Sequence, residues 1–142
     1  MTGKGLTFYL RGNLFGIDIK LVKEINRNVE FTPVPGARTC VLGLFNMRGQ
    51  IVTIFDLSQM IGMIDDLSKL SSTCIILKQT GSAQNHIGFL TDKLGDVIDI
   101  NQDECELPPA NVSSIESEFI QSVIKLDERL LIIIEPEKIF KI

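Results

Sequence analysis

The chain has 142 residues, 44% of them apolar, with a net charge of −4 and a pI near 5.0. That is long enough to bury a core and apolar enough to argue against disorder. The acidic balance disfavours nucleic acid and anionic membranes as partners, and the absence of Trp beside a single Tyr leaves few platforms for stacking bases or sugars.

Residues 1–8 lack the apolar run of a signal peptide, and the longest purely aliphatic stretch, Leu130–Ile134, is far short of a membrane span. A first strand over 6–10 turns at Arg11-Gly12-Asn13 into a second over 14–17, then one helical turn over 18–21 and a third strand over 22–25. The prolines at 33 and 35 remove ladder donors, so 31–36 is a rigid crossing rather than a central strand. Residues 39–47 and Gln50–Phe55 form a hairpin about Arg48-Gly49, because Gly49 can take the positive φ that a tight turn needs. Ile51, Thr53 and Phe55 face one way and Val52 and Ile54 the other, so both faces of that strand are largely apolar. Asp56 is placed to cap a short helix with Gln59 in the capping-box position, Leu57, Met60 and Ile61 as its apolar stripe, and Gly62 as its stop.

A polar connector over 65–72 leads to a hairpin of Thr73–Leu77 and 86–90 around the 81–85 loop, then a strand over 94–100. Residues 101–114 are irregular, broken by Pro108-Pro109. The last hairpin joins 118–126 to 129–134, and Pro136 opens a terminal helix at its first position. The chain carries an internal echo. Gly16, Val22, Glu24 and Ile25 match Gly88, Leu94, Asp96 and Val97 at one constant spacing. Residues 44–47 and 51–55 match 123–126 and 130–134 at a slightly longer one, and the Pro108-Pro109 loop absorbs the difference. The caps Asp56 and Glu135 correspond as well. Two copies of a five-stranded unit, each too small for a generous core, gain by packing together, and short strands at even spacing suit a pair of small β-barrels. The expected division is one domain, 1–142, in halves 1–70 and 71–142 that can exchange terminal segments.

The residues offer little chemistry. His86 is the single histidine, beside a hairpin loop and read as a solvated turn residue, so no Ser-His or Cys-His pair exists. The run Asp99-Ile100-Asn101-Gln102-Asp103 opens like a calcium loop but has Glu104 where Gly is needed and Ala110 where a bidentate Glu is needed. No Lys-Ser/Thr follows Gly49, which removes a phosphate loop. Asp65-Asp66 and Glu104/Glu106 sit in polar connectors as solvated carboxylates. Cys40, Cys74 and Cys105 are odd in number and widely spaced, as expected of reduced thiols in a cytoplasmic protein. No catalytic residue, metal or cofactor is implied.

What remains is a surface for another protein. Glu24 and Arg48 can rim a groove whose floor is apolar, from Val22, Ile25 and Met47, with the two units lying side by side along a crease. The alternative is an intramolecular Glu24–Arg48 pair worth about 0–1 kcal/mol. Composition leaves both open.

The segments F-G-I-D-I-K-L-V-K-E-I, T-P-V-P-G, V-L-G-L-F-N-M-R-G, I-F-D-L, I-G-F-L-T-D and K-L-D-E-R-L-L-I-I-I-E-P-E-K-I-F, in this order and spacing, resemble the CheW family of bacterial chemotaxis coupling proteins over nearly the whole length. The resemblance implies an all-β fold of two packed five-stranded SH3-like barrels and no catalytic activity. It also implies a cytoplasmic adaptor joining chemoreceptor (methyl-accepting chemotaxis protein) helical tips to the regulatory domain of the histidine kinase CheA. It places receptor contact at Val22, Glu24 and Arg48, with Gly43, Gly88 and Val97 nearby; kinase-facing residues are not assignable. Thr53 and Ser58 depart from the family's usual Pro and basic residue. An adaptor for a non-chemotactic kinase pathway and a small-ligand-binding barrel are the competing readings.

Overall fold

The computed structural model describes residues 3–36, 40–60, 73–78, 86–107 and 117–140. The Gly62 helix stop, the 65–72 connector, the 81–85 loop and the Pro108-Pro109 break lie outside these residues. Among the described residues there are ten strands: β1 (Gly3–Leu10), β2 (Asn13–Asp18), β3 (Val22–Asn26), β4 (Val41–Met47), β5 (Gln50–Phe55), β6 (Thr73–Leu77), β7 (His86–Thr91), β8 (Lys93–Ile100), β9 (Ile120–Lys125) and β10 (Leu130–Ile134). Two short helices follow the cap positions, α1 (Leu57–Met60) after β5 and α2 (Pro136–Phe140) after β10.

The strands make two five-stranded sheets, ordered β8-β1-β2-β10-β9 and β3-β6-β7-β5-β4. The internal echo is visible position by position: β2 pairs in parallel with β10 as β7 pairs with β5, and Gly16 meets Ile133 as Gly88 meets Ile54. Each sheet also curls. The chain beyond β3 returns so that Thr32 and Leu44 exchange hydrogen bonds of 2.8 and 2.9 Å with β4, and the chain beyond β8 returns so that Glu106 and Val123 do the same with β9. One bridge thus joins the two edges of each sheet. Gly43 makes the first of these approaches possible, because a Cβ there would run into the Thr32 carbonyl and stand 2.8 Å from the Phe31 ring.

Three apolar clusters follow from this curl. Val52, Ile54, Cys74 and Ile76 fill the inside of the second sheet, and Leu14, Ile124, Leu131 and Ile133 fill the inside of the first. Between the sheets lies the largest cluster, with Phe8, Phe15, Ile17 and Ile132 from one side and Phe55, Ile75, Leu77 and Phe89 from the other. Central strands are therefore buried on both faces, which is why β5 and β10 are apolar at nearly every position.

Local details depart from expectation. β1 starts at Gly3 rather than at residue 6, because Gly3, Lys4 and Gly5 pair with Ile100, Asp99 and Ile98 of β8 and tertiary pairing overrides the low strand propensity of glycine. Asp56 caps α1, but its Oδ1 accepts from Ser58 N at 3.1 Å and Ser58 Oγ at 2.6 Å, and its own N–H donates to Cys40 O at 2.8 Å. The expected back-bond from Gln59 is therefore displaced.

Cys74 is fully buried, and desolvation pushes its thiol up to about 12 from 9.0 against a smaller lowering by a backbone hydrogen bond from Phe89. The thiol should resist alkylation in the folded protein near pH 8 and react once the chain unfolds, as mass spectrometry of iodoacetamide-treated samples would show. Between pH 9 and 12 the unfolded chain loses a proton that the folded chain keeps, so this group lowers stability as pH rises through that window.

Candidate protein-interaction site

The two edges of the second sheet meet at the Arg48 hairpin. Met47 pairs with Gln50, leaving Arg48 and Gly49 as a two-residue loop with φ of 51° and 86°. Two successive left-handed residues give the mirror-image turn that matches strand twist. Asn46 Oδ1 accepts from Gly49 N at 2.9 Å and steadies it. Glycine and asparagine hold this backbone easily, whereas a left-handed arginine costs about 1–2 kcal/mol. The Arg11-Gly12 turn has the same geometry, with φ of 50° and 81°. There the guanidinium is buried, its side chain 5% exposed and 3.7 Å from Asp92. At Arg48 the side chain is 72% exposed. One strained arginine is enclosed by the fold, and the other is held out from it.

Arg48 Nη2 donates to Glu24 Oε2 at 2.9 Å. Glu24 stands on β3 and Arg48 at the end of β4, so the pair ties the two edge strands of one sheet. The two groups pair within the chain, and the guanidinium still faces outward. Such an exposed pair adds about 0–1 kcal/mol to stability.

The remaining candidates are dispersed. Val22 is half-buried against the core between the sheets, and Ile25, 37% exposed, is a surface position of β3. Met47 does not form a groove floor: it is 3% exposed and packs inside the second sheet with Val52 and Ile54, because alternation along β4 turns it inward. Gly43 and Gly88 are buried. A Cβ on Gly88 would stand 2.8 Å from Cys74 Sγ, so both glycines serve close packing beneath the surface. Val97, 50% exposed, lies on β8, the edge of the other sheet, at the place equivalent to Ile25.

Sequence reasoning missed three neighbours of the pair. His86 is not a solvated turn residue: it is 4% exposed at the start of β7, with Nε2 2.8 Å from Gln50 Oε1. Lys23 Nζ lies 3.2 Å from the same ring nitrogen and 3.4 Å from Gln50 Oε1. The signal was present in the echo, which sets His86 opposite Leu14, an inward apolar position.

The corresponding mouth of the first sheet is built differently. Asp96 and Asp127 stand where Glu24 and Arg48 stand, and Gly95, Leu14 and Arg129 replace Lys23, His86 and Gln50. Arg129 Nη1 donates to Tyr9 Oη at 3.1 Å, beside a shallow cavity of ≈ 450 Å³ lined by Tyr9, Leu14, Leu126, Asp127, Glu128 and Arg129. The first sheet's edge segments are tied instead by Lys125 Nζ 3.8 Å from Glu106 Oε2, whereas the glutamate–arginine pair belongs to the second sheet's mouth.

A family model for the CheW-like domain matches residues 4–142. The chain belongs to the CheW-like domain family. A chemotaxis protein CheW of Treponema pallidum is 30% identical over 139 residues, covering 95% of this chain and 80% of the relative. Its counterpart from Thermotoga maritima is 29% identical over 136 residues, covering 96% and 86%. The crystal structure of the scaffolding protein TtCheW from Thermoanaerobacter tengcongensis superposes with a TM-score of 0.80 at 29% identity, covering 95% of this chain and 85% of that one. The two five-stranded sheets are thus a CheW fold. Of its two departures from the usual CheW pattern, Thr53 is half-buried on β5 and Ser58 is buried, its hydroxyl donating to Asp56. Among the described residues of this CheW-family chain, no helix is long and apolar enough to cross a membrane, and no cluster of His, Cys, Asp and Glu could hold a metal ion.

Proposed function

We propose that this CheW-family protein is a non-enzymatic adaptor of chemotaxis signalling. It acts in the cytoplasm and couples the helical tips of chemoreceptors to the regulatory domain of the histidine kinase CheA in membrane-associated arrays. The observation that carries the reading is Arg48, a guanidinium kept at a left-handed turn where asparagine would fold more easily, exposed, and oriented by Glu24. Among the described residues Glu24 is its one partner, so most of its five donors are open to a carboxylate or to carbonyls at a helix end. Val22 and Ile25, on the same strand as Glu24, supply apolar contact alongside, and Val97 is the exposed position equivalent to Ile25 on the other sheet. Gly43 and Gly88 act from beneath, by letting the backbones approach.

The test is Arg48→Asn, measured by binding of receptor-tip and kinase regulatory-domain fragments and by thermal unfolding. Asparagine accepts the left-handed backbone, so stability should equal or slightly exceed wild type. Receptor-tip affinity should fall about 10–100-fold, on the order of 1–3 kcal/mol, with kinase affinity unchanged. Wild-type receptor affinity in Arg48→Asn would remove the site, and a wild-type protein that binds neither fragment would remove the adaptor reading.

A further inference from the structure

Beside the Glu24–Arg48 pair lies a second cross-link between the same two pieces of backbone. Lys23 precedes Glu24 on β3, and Gln50 follows the Arg48-Gly49 loop at the start of β5. The contacts Lys23 Nζ to Gln50 Oε1 (3.4 Å) and Arg48 Nη2 to Glu24 Oε2 (2.9 Å) therefore run side by side across the mouth of the second sheet. His86, from β7, lies beneath the first of them. In the tautomer protonated at Nε2 it donates to Gln50 Oε1 at 2.8 Å, with Lys23 Nζ 3.2 Å away.

β3 needs such support at this point. It is an edge strand, and its pairing with β6 shifts register between Val22 and Glu24, leaving Lys23 as the unpaired residue of a bulge. A bulge re-aims the side chains around it and weakens the ladder there. The segment bearing Glu24 is thus held by side chains as well as by its pairing with β6.

The repeat supplies a control. The first sheet has the same strand order and the same edge-to-edge bridge at Glu106 and Val123, yet holds Gly95, Arg129 and Leu14 at the equivalent places. The curl does not require the Lys23–Gln50–His86 group. That group occurs at the one mouth that also holds the glutamate–arginine pair.

We propose that Lys23, Gln50 and His86 are positioning residues. They fix β3 against the Arg48 hairpin, hold Glu24 where it orients the guanidinium, and so set the direction in which Arg48 meets its partner, without touching the partner themselves. The inference rests on the receptor-contact role given to Arg48 above.

Lys23→Met keeps the aliphatic stem and removes the ammonium, while His86→Leu installs the residue type found at the other mouth. Each should weaken receptor-tip binding about tenfold in the full-length chain, with the far-ultraviolet circular dichroism spectrum unchanged. Lys23→Arg should restore most of the loss. The deciding measurement repeats both variants in a Glu24→Gln background, where a group that acts through Glu24 has nothing further to lose. Additive losses in that background, or wild-type affinity for Lys23→Met in the parent chain, would overturn the proposal. Should His86→Leu fail to fold, Lys23→Met at the exposed bulge carries the test alone. If Arg48→Asn itself binds like wild type, the receptor-contact role fails. If Arg48→Asn is weak and Lys23→Met is not, only the bridge fails.

Discussion

Ile54→Asp is expected to abolish cooperative folding. Ile54 is fully buried at the middle of β5, in register with Gly43 on one side and Gly88 on the other. Its cluster holds Val29, Met47, Val52, Cys74, Ile76 and Leu90, none of them a cationic partner. A carboxylate here is left uncompensated, at a cost of several kcal/mol, against a total stability of about 5–15 kcal/mol for a domain of this size. Circular dichroism and urea titration should show no folded baseline. Ile51→Asp, on the same strand but 42% exposed, is the control and should stay within about 0.5 kcal/mol of wild type. A soluble, cooperatively unfolding Ile54→Asp would show that the strand faces have been assigned wrongly.

Phe8→Ala should be the most costly simple truncation, at about 3–5 kcal/mol. The Phe8 ring is fully buried, stacked on Phe15 of its own sheet with centroids 5.8 Å apart, and 5.3 Å from Phe89 of the other. Removing it opens a cavity at the point where the sheets share side chains, so both sheets lose support together. Urea unfolding should keep a single transition at a much lower midpoint. Two separated transitions would mean that the cluster between the sheets does not couple them.

How much of this was legible depended on how local the determinants are. Turns with glycine in the second position announced both Arg-Gly hairpins, and apolar residues on both faces of β5 and β10 announced strands packed on two sides. Membership of the sheets was not local. β1 and β2 join β8, β9 and β10, and no propensity at residues 3–18 specifies partners so distant in the chain. The site was legible in the same measure. Glu24 and Arg48 stood out as charged residues among apolar strands, but Met47 was misplaced because alternation near a hairpin end depends on register. A place beside a hairpin loop predicts a solvated His86, whereas the curl of the sheet closes over it.

The chain leaves the first sheet after β2 and returns to it only at β8, which sets the order of events as the chain is made. The β1–β2 hairpin is made before β3 to β7, yet the other three strands of its sheet, β8, β9 and β10, are made after them. The sheet β3 to β7 is contiguous in sequence and can assemble before β8 to β10 are made, whereas β1 and β2 must wait for those strands with their apolar faces unpaired. Completion of that sheet is therefore a closing step, in which late strands meet early ones on a platform already standing between them.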